Sequence, residues 1–155
     1  MKKIRKSLKI ISGGQAGADR AALDFALSRK ISCGGWCPAG RIAEDGPIPS
    51  RYPLRETSGI EPAERTRKNV DESDGTLLIV PDEADDGTRY TSAYARETRK
   101  PLYRVTKDDI PEKQNFLLWL DINRIRVLNV AGPRESNAGG TYDFIKQLGI
   151  DAITV

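Results

Sequence analysis

Gly13, Gly14 and Gly17 crowd one short stretch, Leu8-Lys9-Ile10-Ile11-Ser12-Gly13-Gly14-Gln15-Ala16-Gly17-Ala18-Asp19-Arg20. Glycines at that spacing suit the binding of a phosphate or another oxyanion. They let the backbone approach a ligand closely and adopt positive φ. A helix that starts at Gly17 aims its free N–H groups and the positive end of its dipole at whatever sits above the turn. Gln15 lies in the turn, and Asp19 and Arg20 on the first helical turn face either solvent or the ligand. The stretch is neither G-x-G-x-x-G nor a P-loop ending in Gly-Lys-Ser/Thr. A tight strand-to-helix connection with no ligand has the same appearance.

Two further turns carry related chemistry. One is Asp86-Gly87-Thr88 and the other is Gly132-Pro133-Arg134-Glu135-Ser136. Arg134 offers a bidentate fork for phosphate or carboxylate. Thr88 and Ser136 offer hydroxyls and cap geometry. Arg134 and Glu135 also read as a mutual surface pair, which is worth little energetically. A long loop adds Arg41, Glu44 and Asp45, which would close over the other side of a ligand. A hard ion such as Mg²⁺ accompanying a phosphate would use Asp45 or Glu44.

Composition removes several alternatives. The 155 residues include no histidine, which excludes Ser-His and Cys-His pairs and any His-ligated metal. Acid–base work would fall to Asp, Glu, Lys, Tyr or Cys. Cys33 and Cys37 alone do not complete a tetrahedral zinc site, and packing around Trp36 is the simpler role for them. A net charge of +3 is too mild for nucleic-acid binding by bulk attraction, although 25 Lys and Arg remain available to cluster locally. No apolar run reaches the roughly 18 residues of a membrane span. The basic start is not followed by a signal-peptide core, so a cytoplasmic location is expected.

The elements that position these residues follow from apolar periodicity and from Gly and Pro punctuation. A helix is expected from Gly17 to Arg29, with Ala18, Ala22, Phe25 and Ala26 inward and Asp24 on a solvated edge. A short strand follows at Lys30 to Gly34. Residues 34–62 are too rich in Gly and Pro for a helix, yet Trp36, Ile42, Tyr52 and Leu54 are residues that pack. An ordered binding loop or lid is therefore expected. Pro62 opens a very polar helix to about Ser73, facing solvent or a partner. Strand Thr76 to Val80, a helix from Thr88 to Lys100 capped by Thr88 or Thr91, and strand Leu102 to Val105 come next. Pro111 opens another helix, Arg126 to Ala131 is a strand, a last helix starts near Gly140, and Ala152 to Val155 would add an edge strand.

This alternation implies an α/β fold over residues 1–155. It is a single Rossmann-like domain with a doubly wound, mainly parallel sheet and helices on both faces. The three strand-end turns then share the carboxyl edge, where ligands bind at the reversal of strand order.

Several motifs point to a family. They are Lys9 to Leu27, Gly34-Gly35-Trp36-Cys37-Pro38-Ala39-Gly40-Arg41, Ala43-Glu44-Asp45-Gly46-Pro47-Ile48-Pro49, Tyr52-Pro53-Leu54, Arg65-Thr66, Asn69-Val70, Ser73-Asp74 and Val130 to Ser136. Together they resemble the family labelled "putative molybdenum carrier". That family is similar to a circularly permuted branch of the SLOG / lysine-decarboxylase-like Rossmann superfamily. The superfamily includes DNA-processing proteins, cytokinin-activating phosphoribohydrolases and cofactor carriers for molybdenum enzymes. Its usual members begin with the strand and Gly-Arg turn that here come last, at Arg126 to Ser136.

The resemblance implies a protein that binds a phosphorylated nucleotide-like ligand, molybdenum cofactor or molybdate. It also implies self-association as a homodimer or higher homo-oligomer. An alternative is a nucleotide N-glycosidase, for which Glu44, Asp45 and Glu135 are the candidate carboxylates. A second alternative is single-strand DNA binding, which the mild charge and few aromatics disfavour. The family's Thr is Ala16 here. The phosphoribohydrolase Pro-Gly-Gly-x-Gly-Thr turn is replaced by Asp85-Asp86-Gly87-Thr88-Arg89-Tyr90-Thr91.

Overall fold

The computed structural model describes residues 8–80, 85–106, 111–134 and Ile145. The chain runs through β1 (Lys9–Ile11), α1 (Ala18–Ser28) and β2 (Ser32–Gly34). Four two-residue strands follow: β3 (Trp36–Cys37), β4 (Ile42–Ala43), β5 (Gly46–Pro47) and β6 (Arg55–Glu56). Then come α2 (Pro62–Glu72), β7 (Gly75–Val80), α3 (Asp86–Glu97), β8 (Leu102–Thr106), α4 (Lys113–Ile122) and β9 (Val127–Ala131).

Five strands form one parallel sheet in the order β2-β1-β9-β7-β8. The late strand β9 sits in the middle, pairing Ile10 with Leu128 on one side and Leu77 with Val130 on the other. On either side of that centre the chain runs outward, from β1 to β2 and from β7 to β8, before it returns to β9. Right-handed crossovers put α1 and α4 on one face and α2 and α3 on the other. The packing agrees. Ile10, Leu77, Ile79, Val105, Leu128 and Val130 share one core with Phe25 of α1 and Phe116 and Leu120 of α4. On the opposite face α2 packs against α3.

Residues 34–61 contain no helix, as the Gly and Pro density predicts. The segment is organised by Arg41. Its guanidinium donates to the carbonyls of Ile48, Leu54, Pro49 and Tyr52, at 2.6 to 3.4 Å. Tyr52 is buried with Leu23, Cys37 and Ile48 in a second small core. Its hydroxyl donates to Asp24 at 2.6 Å, so Asp24 anchors the loop rather than facing solvent.

Other expectations need correction. Asp85, not Thr88 or Thr91, caps α3: its carboxylate accepts from the Thr88 N–H at 2.7 Å, because a short acidic side chain outside the helix reaches that orphan donor. Thr91 instead turns its hydroxyl back to the Gly87 carbonyl. Helix α3 stops at Glu97, and α4 starts at Lys113 rather than at Pro111. The helix expected from Gly140 and the strand expected at Ala152 to Val155 lie outside the described residues, apart from Ile145, which is buried in the core. Among the described residues no helix is long and apolar enough to cross a membrane.

Candidate functional site

The turn after β1 is shaped by its glycines and closed by its own polar groups. Gly14 sits at φ 78°, a conformation that favours glycine, and a Cβ there would lie 2.4 Å from Leu54 Cδ1, so the loop side chain packs directly on the turn. Gly17 occupies the cap position of α1. The first helical N–H groups are largely spent within the protein. Ala18 donates to the Pro133 carbonyl at 3.0 Å and Arg20 to the Gln15 carbonyl at 3.2 Å. The positive end of α1 therefore faces internal acceptors, and the carboxylate closest to it is Asp19.

Asp19 is buried, and its Oδ2 accepts from the Gln15 N–H at 3.2 Å and from Arg65 Nη1 at 3.0 Å. Arg65 arrives from α2, across the turn. Gly13 makes the slot for it, since a Cβ on Gly13 would fall 2.4 Å from Arg65 Nη1. Burial pushes the Asp19 carboxyl above its ordinary range, outweighing the Arg65 guanidinium, the Gln15 N–H and the charge of Arg134.

These groups line a cleft of about 400 Å³ at the carboxyl edge of β1, β9 and β7. That is within the range of small-ligand pockets, about 300–1,000 Å³. Gly13, Gln15 and Asp19 form one wall, and Arg65, Thr66 and Asn69 of α2 form a second. The start of α3, from Asp85 to Thr88, forms a third with Thr91. Asn129, Gly132 and Arg134 close the cleft on the β9 side. Thr88 is 5% exposed, and among the described residues neither its Oγ1 nor Arg65 Nε has a hydrogen-bond partner.

Six of the residues singled out from sequence thus meet at one place: Gly13, Gln15, Asp19, Thr88, Gly132 and Arg134. Gly14 and Gly17 shape the turn without lining the cleft. Arg20 leaves it: it pairs in a fork with Asp45, Nη2 to Oδ1 at 2.9 Å, and donates Nε to the Gly14 carbonyl at 3.1 Å. This ion pair holds the Asp45 carboxyl below its usual range. Glu44 and Asp45 form the exposed tip of the β4–β5 hairpin, outside the cleft lining, with Glu44 3.8 Å from Arg134. Arg41 serves the loop carbonyls and does not reach the cleft. Glu135 and Ser136 lie outside the described residues.

Arg65 and Asn69 stand among the family motifs but were not singled out as site residues. They lie four apart on α2, the helix read as merely polar, and so share one face. Asn69 also clasps the backbone of Trp36 with both ends of its amide, at 2.9 and 3.0 Å. Asn129 was not singled out either, although it is the polar residue within the apolar run Val127 to Ala131. It is buried and donates to Thr76 Oγ1 at 3.2 Å.

The donor set is guanidinium, hydroxyl, amide and carboxylate. No group of three or more Cys, Asp or Glu that could hold a metal occurs among the described residues, and the chain has no histidine. The arrangement suits an organic or oxyanionic ligand held by hydrogen bonds rather than a directly chelated ion.

Comparisons with known proteins agree with the fold. No curated protein matches the chain. A crystal structure of the "Putative molybdenum carrier protein" from Syntrophus aciditrophicus SB is 39% identical, covers 97% of this chain and 96% of its own, and superposes with a TM-score of 0.85. The model of the circularly permutated YpsA SLOG family matches residues 10–151. That match spans β1 and its glycine turn at one end and β9 with the Gly-Pro-Arg turn at the other, and the chain belongs to the circularly permutated YpsA SLOG family.

Proposed function

We propose that this chain is a cytoplasmic binding protein that carries a small phosphorylated, nucleotide-like ligand in the cleft between β1, β9 and β7. The supporting observation is that two residues lining the cleft, Thr88 and Arg65, each hold a buried polar atom, Oγ1 and Nε, that finds no partner among the described residues. A buried polar atom left unsatisfied costs about 1–3 kcal/mol, and a ligand supplying the bond recovers that cost. Arg134, half exposed at the rim, would take an anionic group. The similar Syntrophus protein is named for molybdenum, and a phosphorylated molybdenum cofactor would meet the same guanidinium and hydroxyl groups. If Mg²⁺ accompanies the phosphate, the described carboxylates lining the cleft are Asp19, Asp85 and Asp86, whereas Asp45 and Glu44 stand outside it.

The N-glycosidase alternative loses support from Glu44 and Asp45, which stand outside the cleft lining and against arginines. The test is mass spectrometry of small molecules released from freshly purified protein, with elemental analysis for molybdenum. A stoichiometric nucleotide or pterin phosphate is the expected result. An empty protein that releases base from nucleoside monophosphates would replace the carrier by an enzyme. The same preparation, run by light scattering, tests self-association as a homodimer or higher oligomer.

A further inference from the structure

A carboxylate is an unusual wall for a site that receives an anion. Among the described residues the cleft presents two arginines, Arg65 and Arg134, against three acidic residues. Two of those acids are committed elsewhere. Asp85 caps α3 through the Thr88 N–H, and Asp86 is fully exposed and paired with Arg89. Asp19 is different. Its side chain is only 7% exposed, it lines the cleft, and it is held in place by Arg65 and the Gln15 N–H.

An ionised carboxylate accepts about four hydrogen bonds and donates none. Molybdate is likewise acceptor-only. Placed beside Asp19 it would meet repulsion where water had given it donors, and Arg65 is already paired with Asp19. A ligand with hydroxyl groups fits the same surface, because a hydroxyl donates to Asp19 while its phosphate reaches Arg134. The Thr88 hydroxyl can donate and accept, so it can serve a second hydroxyl or the bridging oxygen beside it.

Resting on the carrier reading, we propose that Asp19 and Thr88 select an anion that also carries hydroxyl donors, of the sugar-phosphate class, and reject a bare tetraoxo anion. Titration calorimetry with ribose 5-phosphate and with sodium molybdate tests this on the wild-type protein, Thr88→Val and Asp19→Asn. The wild type should bind ribose 5-phosphate at least tenfold more tightly than molybdate. Thr88→Val, which keeps the side-chain shape, should weaken ribose 5-phosphate severalfold and leave molybdate unchanged. Asp19→Asn should narrow the ratio, mainly by admitting molybdate. If Asp19→Asn does not fold, Thr88→Val carries the test alone. A wild type that prefers molybdate, or variants that both keep the wild-type ratio, would overturn the selectivity while leaving a carrier. Failure of the wild type to bind ribose 5-phosphate would overturn the selectivity, while the carrier reading stands or falls with the small molecules released from the purified protein.

Discussion

The two faces of the central sheet are made by alternate residues of the same strands and do opposite things. On the α1/α4 side, Leu77, Ile79, Leu128 and Val130 pack with Phe116, whose ring lies 5.3 Å edge-on from Tyr103. On the α2/α3 side the intervening positions include Thr76 and Asn129, buried and bonded to each other, beneath Asn69, Thr88 and Thr91. Side chains alternate across a strand, so one run of five residues can supply a dry core and the floor of a polar cleft at once. The difference teaches where stability and recognition reside in this molecule. The strand residues buried on the apolar face are hydrocarbon, while among the described residues the polar face keeps buried groups whose pairing is incomplete.

Mutations that treat the faces separately should break this contrast if it is wrong. Phe116→Ala on the apolar face should cost about 3–5 kcal/mol in urea unfolding and leave the affinity of the remaining folded protein unchanged. A changed affinity would mean that the faces are coupled. Arg65→Ala on the polar face removes one partner of a buried pair and leaves Asp19 alone. It should cost about 3 kcal/mol, the low end for such pairs because the Arg65 side chain keeps 14% exposure, and it should abolish binding as well. A stable Arg65→Ala protein with normal affinity would remove α2 from the site.

Arg134→Ala should separate the two properties in the other direction. Its affinity for the bound ligand should fall by about 1.5–3 kcal/mol, the scale of a lost charged hydrogen bond. Its stability should change by about 0–1 kcal/mol, since the contact with Glu44 is loose and half exposed. Equal losses of stability and affinity would make Arg134 a structural residue.

The smallest effect is a pH dependence. Burial raises the Asp19 carboxyl above its unfolded value. Its favourable contribution is therefore complete below the unfolded pKa, about 4, and is lost as pH rises through the raised one. The stability of the wild type relative to Asp19→Asn should then be greatest in acid and decline toward neutrality. A difference that grows with pH would show that Arg65 dominates and that the carboxylate is more at ease charged than burial allows.

The strands of the central sheet and the helices packed on it were readable because each carries its own evidence, whereas the short strands β3 to β6 were not. Leu77-Leu78-Ile79-Val80 is a buried strand on composition alone, and Pro62 marks the first turn of α2. The cleft was readable only where a turn announced itself, as at Gly13 and at Gly132. Arg65 and Asn69 were not, because a polar helix face has the same sequence whether it meets water or a pocket. The loop arginines misled for a related reason. Arg41 has the side chain of an anion ligand, but four carbonyls of its own loop curl around it, and only the path of that loop decides this. Arg20 and Asp45 cancel each other across 25 positions of sequence, a pairing that local pattern does not reveal.

The central place of β9 bears on how the molecule comes into being. A chain emerging from the ribosome can join β1 to β2 and β7 to β8 early, as two ribbons without a shared neighbour. Both ribbons wait for a strand synthesised more than a hundred residues after β1 to wedge between them. Such distant pairings are slow to find and leave strand edges open meanwhile. The nascent protein therefore has no cleft, and nothing to hold, until its synthesis has passed Ala131.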